Sequence, residues 1–321
     1  MLALALAFPL LTLPGARAAN AIETDRKCSV SFSVSGEGNE LTATDTDIKV
    51  NLYKVADVDV SGNYTATKDF TGLNVSSVSA DDKDAAASEW ADRAKEAQKM
   101  LKESVEPTAT VTLAKGIGSK DGLATGLYLV DTPKVITTNY TYTFTPYLVS
   151  LPTNNYYSNG NDTWIYDLTD TNAIGLKPEE HARYGDLKIN KTLANHNATT
   201  GKKATFVFKI EITPLKGKTE TRIESLDFEA AGDSSVTITK IPAGAKVKVT
   251  EVYSGASYKL TSANDQTATI VATDRGSTNT PASVSFTNDI DDNMNGGYGV
   301  KNNFKLDENG QYQYTEPAEK N

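Results

Sequence analysis

The chain has 321 residues, 39% of them hydrophobic, and a formal net charge of −9 from 41 acidic and 32 basic side chains. That acidic balance argues against nucleic acid as a partner, because phosphate backbones demand basic patches, and equally against peripheral binding to anionic lipid. A single cysteine, Cys28, excludes any disulfide within the chain.

The first eighteen residues, MLALALAFPLLTLPGARA, are an apolar run closing on Ala-Arg-Ala. They read as a secretory signal peptide (1–18) cut after Ala18, although no basic residue precedes the run. A buried N-terminal helix is the alternative, opposed by the two prolines in AFPLLTLPG. No later segment approaches the roughly 20 apolar residues of a membrane span, so no anchor is expected. An exported β-protein without disulfides suits a Gram-positive bacterium better than an animal cell surface.

From 28 onward, CSVSFSVSG and TDIKVNLYKVADV alternate as strands, and SGNY is a turn. One helix is predicted, over 80–104. Ser79 and Asp82 make a capping box, and Ala87, Trp90, Ala91, Ala94, Ala97 and Leu101 form a stripe that packs on a sheet. Strands resume in TATVTLAKG, GLATGLYLVDTP and YTYTFTPYLVSLP. The polar, turn-prone KPEEHARYG (177–185) is the expected domain boundary, closing a first domain over 19–180. Within 184–291, strand-like segments recur with no helical period, which predicts an antiparallel sandwich. The tail, 292–321, is expected to form a hairpin from Val300–Leu306 and Gln311–Tyr314. An internal echo between ATGLYLVDTP and PAGAKVKVTEV suggests two related β-domains. The fold class is therefore mainly β, with two antiparallel sandwiches and a helical insertion in the first.

Three strands of the second domain break an apolar row with one polar residue each. In YGDLKINKTL the inward row is Leu187, Ile189, Lys191, Leu193. In AKVKVTEVY it reaches Glu251, and in SVSFTNDI it reaches Asn288. A strand end or a bulge explains any one of them; three of complementary chemistry call for a shared cause. Burial lowers a lysine pKa and raises a glutamate pKa. A neutral amine is a nucleophile, and a protonated glutamic acid can polarise a carboxamide and pass a proton to departing ammonia. Held together in a dry core, Lys191 and Asn288 can form an Nε–Cγ amide with Glu251 as the acid. This is a single-turnover self-cross-link, not an enzyme activity. The alternative is a buried Lys–Glu ion pair hydrogen-bonded to the asparagine.

These segments, GDLKINKTL, KIPAGAKVKVTEVYSGASYKL and VSFTNDI, resemble the first, acid-bearing and last strands of Cna B-type domains, the prealbumin-like modules of Gram-positive pilins and surface adhesins. The resemblance covers about 186 to 290 and implies an autocatalytic isopeptide bond carried by Lys191, Glu251 and Asn288. The front domain resembles, more loosely, the N-terminal domain of sortase-assembled pilin subunits. That implies a lysine joined by sortase to another subunit. Lys177 matches by its Lys-Pro context, though the spacing departs and an exposed linker lysine is the alternative. Lys54 and Asp131 share inward parity in the front domain and are candidate members of a second cross-link, for which no asparagine completes a triad. The chain ends in YTEPAEKN, without the sorting signal of shaft subunits, and LPTNN at 151 is internal.

The expected function is thus a secreted structural surface subunit of pilin or adhesin type, partnered by other surface subunits and sortase. A ligand-binding module recognising host matrix or glycan near NNYYSNGNDTWIY is the alternative. No cofactor or metal is expected. His181 and His196 fall in a linker and a turn, and NDIDDNMNGG fits no calcium-loop template.

Overall fold

The computed structural model describes residues 11–12, 21–34, 40–43, 46–79, 83–154, 163–169, 173–199, 203–255, 257–274, 277–291, 303–306 and 312–315. Apart from Leu11–Thr12, the segment 1–18 expected to be a leader lies outside them, as do residues 155–162 of the expected ligand-binding loop. The chain divides into two compact units, Met1–Arg183 and Tyr184–Asn321.

The first unit is built from β1 (Cys28–Ser33), β2 (Ile48–Val58), α1 (Lys83–Met100), β3 (Ala109–Leu113), β4 (Ile117–Leu123), β5 (Gly126–Asp131), β6 (Tyr140–Phe144), β7 (Tyr147–Leu151) and β8 (Pro178–Ala182). β2 is central: β5 pairs along one edge, and β3 and Tyr64–Ala66 share the other. A second sheet forms around β1, which pairs with β4 and, in parallel, with Asp167–Leu168 and Ile174–Gly175. Alternation sends Ile48, Val50 and Leu52 into one core with Val30, Phe32 and Tyr128, while Val55, Leu127 and Leu129 face a second core under α1. Cys28 lies in the first of these cores, and burial pushes its thiol up to about 11.

Three expectations need correcting here. The helix occupies Lys83–Met100, shorter than 80–104, and Ser79 lies in a short strand, Val78–Ser79, so it does not cap the helix. Asp82 lies outside the described residues. The buried stripe is Ala86, Trp90, Arg93, Ala94 and Ala97, with Ala87 and Ala91 only half-buried. KPEEHARYG, expected to be turn-prone, holds a strand, Pro178–Ala182, which pairs antiparallel with β6 by tertiary pairing overriding polar composition, while the two units do divide within it, after Arg183. YTYTFTPYLVSLP splits into β6 and β7 around Thr145–Pro146, since proline lacks the N–H that a continuous ladder needs.

The second unit contains β9 (Tyr184–Leu193), β10 (Ala204–Thr213), β11 (Glu220–Phe228), β12 (Gly232–Pro242), β13 (Lys246–Tyr253), β14 (Tyr258–Leu260), β15 (Asp265–Thr269) and β16 (Ala282–Ile290), followed by a hairpin of β17 (Asn303–Leu306) and β18 (Tyr312–Thr315). Two four-stranded sheets result, in the orders β12-β9-β16-β14 and β11-β10-β13-β15. All pairings are antiparallel except one. β9 and β16 run parallel, from Leu187 opposite Ala282 to Leu193 opposite Asn288. Alternate residues of both sheets, among them Ile189, Phe206, Phe208, Val249 and Phe286, fill a single core, the arrangement of a β-sandwich. At the start of β9 a Cβ on Gly185 would lie 1.8 Å from the Val271 carbonyl oxygen, so only glycine fits there.

Candidate functional site

The parallel pairing of β9 with β16 sets up the site. Lys191 stands opposite Phe286, and Asn288 lies one inward position further along, opposite Leu193. The long lysine side chain spans that diagonal inside the core. Glu251 enters from the facing sheet, on β13 opposite Phe208, as the last inward residue before a register shift to Val207 opposite Tyr253.

All three polar side chains are buried: Lys191 is 1% exposed, Glu251 7% and Asn288 0%. Lys191 Nζ donates to Asn288 Oδ1. Asn288 Nδ2 donates to Glu251 Oε1 at 2.6 Å, and Lys191 Nζ lies 3.4 Å from Glu251 Oε2. Oε2 accepts no hydrogen bond from the described residues. The structure therefore brings the three predicted residues into one closed set of contacts. Its detail differs from the expected one: the acid touches the amide nitrogen rather than the carbonyl oxygen, because the lysine already occupies that oxygen.

The surroundings are apolar. Lys191 Nζ sits 4.5 Å above the Phe206 ring, which packs edge-on against Phe228 and Tyr258. Loss of hydration lowers the Lys191 pKa, opposed by the Glu251 charge, and raises that of Glu251, opposed by the Lys191 charge. Both shifts favour moving the shared proton from amine to carboxylate.

Sequence reasoning missed Phe206, although it lies on the inward row of ATFVFKIEI and the alternation could have found it. It also missed Asn264, whose Oδ1 accepts the Glu251 backbone N–H at 2.9 Å. A loop side chain bonded to backbone leaves no periodic signal.

The other candidates stand apart. Lys54 pairs with Asp57 at 2.5 Å, whereas Asp131 accepts from Gln98 Nε2 at 2.6 Å. The two are not brought together: the Ile48, Val50 and Leu52 row that suggested Lys54 lines the first core, whereas the Leu127 and Leu129 row that suggested Asp131 faces the second. Lys177 is exposed, just before β8. Among the described residues no group of three His, Cys, Asp or Glu can hold a metal ion, and no helix is long and apolar enough to cross a membrane.

Comparison with known proteins adds the following. The domain family DUF5979, described as a domain of unknown function, matches residues 187–291. No curated protein matches the chain. Similar solved structures include a minor pilin of Streptococcus agalactiae, 12% identical, covering 82% of this chain and 95% of its own, with a TM-score of 0.23. A major pilin of Streptococcus pyogenes is 15% identical over 85% of this chain and 100% of its own, with a TM-score of 0.23. The major pilin SpaD of Corynebacterium diphtheriae is 16% identical over 73% of this chain and 64% of its own, with a TM-score of 0.28.

Proposed function

We propose that the second unit is a self-cross-linking β-sandwich, joined by an amide between Lys191 Nζ and Asn288 Cγ, within an exported structural subunit of a Gram-positive cell surface, of pilin or adhesin type. The observation that carries this reading is the buried, mutually bonded set of Lys191 and Asn288 on the paired first and last strands of one sandwich and Glu251 on its facing sheet. The motif resemblance to Cna B-type domains supports the same conclusion.

The chemistry follows from the contacts. A proton passes from Lys191 to Glu251, driven by the desolvation of both charges. The neutral amine attacks Cγ, already held against it by the Nζ–Oδ1 contact, so the step needs little further ordering. Glu251 then works from both of its oxygens. Oε1 gives its proton to Nδ2, and Oε2 takes one from Nζ. The tetrahedral carbon collapses, the Cγ–Nδ2 bond breaks and ammonia leaves. Lysine amine plus carboxamide become a secondary amide plus NH₃, and Glu251 ends protonated, as it was when attack began.

The bond closes a loop of 97 residues. In the chain-entropy treatment of cross-links, a loop of about 100 residues is worth on the order of 4 to 5 kcal/mol, which compensates for the lack of disulfides. Lys177, singled out by its Lys-Pro context, is exposed, as sortase joining to another subunit requires. The test is intact mass spectrometry of the mature protein. A loss of about 17 Da, one ammonia, is expected for the wild type and none for Glu251→Ala. Wild-type protein that is folded and unshifted in mass would leave the buried ion pair as the correct description.

A further inference from the structure

Between β14 and β15 the chain crosses from one sheet of the second unit to the other, and its side chains bond to both reacting strands. On the β16 side, Leu260 pairs with Asn288, and the Thr261 N–H donates to the Thr287 carbonyl at 2.8 Å. Ser262 Oγ accepts the Thr287 N–H at 3.1 Å. Two residues later Asn264 Oδ1 accepts the Glu251 N–H at 2.9 Å, and Asp265 resumes ladder pairing opposite Thr250. Gln266 then reaches back to β16. Its Oε1 accepts the Ser285 N–H at 3.1 Å, and its Nε2 donates to the Ser285 carbonyl and, at 3.2 Å, to the Ala263 carbonyl.

These bonds have an unusual distribution. β14 covers only the Asn288 end of the β16 edge, and the groups nearer its start are satisfied by the side chains of Ser262 and Gln266 instead of a strand. Glu251, beyond the last ladder pair with β15, is likewise held by a side chain. One continuous segment of five residues, Leu260 to Asn264, therefore touches the carboxamide's strand at one end and the acid's backbone at the other.

We infer that Ser262, Asn264 and Gln266 form a positioning clip that fixes the separation of Glu251 from Asn288 across the sandwich. They touch none of the reacting atoms. They act through the backbones that carry the acid and the carboxamide, so their removal slows cross-linking without removing any reactant. The inference rests on the proposed isopeptide reaction. Displacement of a reacting group by about 1 Å can cost up to about a hundredfold in rate, and the clip is placed to prevent such a shift.

The experiment follows pulse-labelled full-length protein over time by intact mass spectrometry, scoring the fraction that has lost about 17 Da. Asn264→Ala and the double variant Ser262→Ala/Gln266→Ala are expected to cross-link about tenfold or more slowly than wild type. Asn264→Asp and Ser262→Thr keep the acceptor oxygen and are expected to restore the rate. Thr250→Ala, next to Glu251 on β13, removes a surface bond across to Asp265 on β15; it controls for general loosening and is expected to cross-link at the wild-type rate. Circular dichroism confirms that each variant has folded before its rate is compared. Wild-type rates in Asn264→Ala and the double variant, or equal slowing in Thr250→Ala, would overturn the clip. A wild type that never loses ammonia would instead overturn the reaction itself, and the two failures are distinct.

Discussion

Among the described residues each unit buries one long basic side chain, and the two are held in opposite ways. Arg93 in α1 is 5% exposed and Lys191 in β9 is 1% exposed. The Arg93 guanidinium lies 4.5 Å over the Trp90 ring, donates to the Ser76 carbonyl, and pairs with Glu89, whose side chain remains 49% exposed. Arginine keeps its charge at any ordinary pH, and a planar guanidinium tolerates such partial desolvation. Lys191 has a carboxylate partner only 1% exposed and a carboxamide held between them. Both side chains are almost wholly withdrawn from solvent. Burial of both partners works against the charges of Lys191 and Glu251, lowering the lysine pKa and raising that of the glutamic acid. The first arrangement is structural, and on the proposed reading the second supplies the reactive amine.

The sharpest way to break this contrast is to make the two sites alike. Lys191→Arg puts a permanently protonated group where a nucleophile is needed. It should abolish the mass loss and remove the cross-link's contribution, on the order of 4 to 5 kcal/mol, in denaturant unfolding of the second unit. Single-molecule pulling on the same variant should release the 97 residues otherwise shielded between the joined strands, an added extension of roughly 300 Å.

The converse substitution, Arg93→Met, should leave the mass loss intact. Loss of the cation–π contact and the bond to Ser76 should destabilise the first unit by about 1 to 3 kcal/mol in thermal or denaturant unfolding. A change in cross-linking here would show that the two sites are not independent.

A third measurement is the rate of ammonia loss against pH. The reactive state needs Lys191 neutral and Glu251 protonated. Acid holds the lysine charged and base strips the glutamic acid, so the rate should fall on both sides. Burial lowers the lysine and raises the glutamic acid, which widens the overlap between the limbs. A rate that kept rising with pH would mean that Glu251 does not act as an acid.

Thr287→Ala is the smallest change. This residue neighbours Asn288 but is only half-buried, pointing away from the inward row of Phe286 and Asn288. Stability should shift by no more than about 0.5 kcal/mol, with the mass loss retained.

The same contrast explains what could be read from the sequence. A strand has a period of two, so a polar residue on an apolar row is visible at once, and Lys191, Glu251 and Asn288 could be singled out before any coordinates. The helix stripe was legible too, but Arg93 was not, because its stem packs while its charged end reaches a partner elsewhere. Side chains acting on distant backbone, such as Asn264 and Ser262, leave no pattern. Pro178–Ala182 read as turn-prone because its polar composition hid the pairing with β6 that makes it a strand.

The most direct test of the account is a peptide map of the folded wild-type protein. A protease digest should yield a branched peptide in which the segment around Lys191 is joined to the segment around Asn288, lighter by about 17 Da than the two linear peptides together, and absent from Glu251→Ala. Recovery of only the two unmodified linear peptides from the wild type would contradict it.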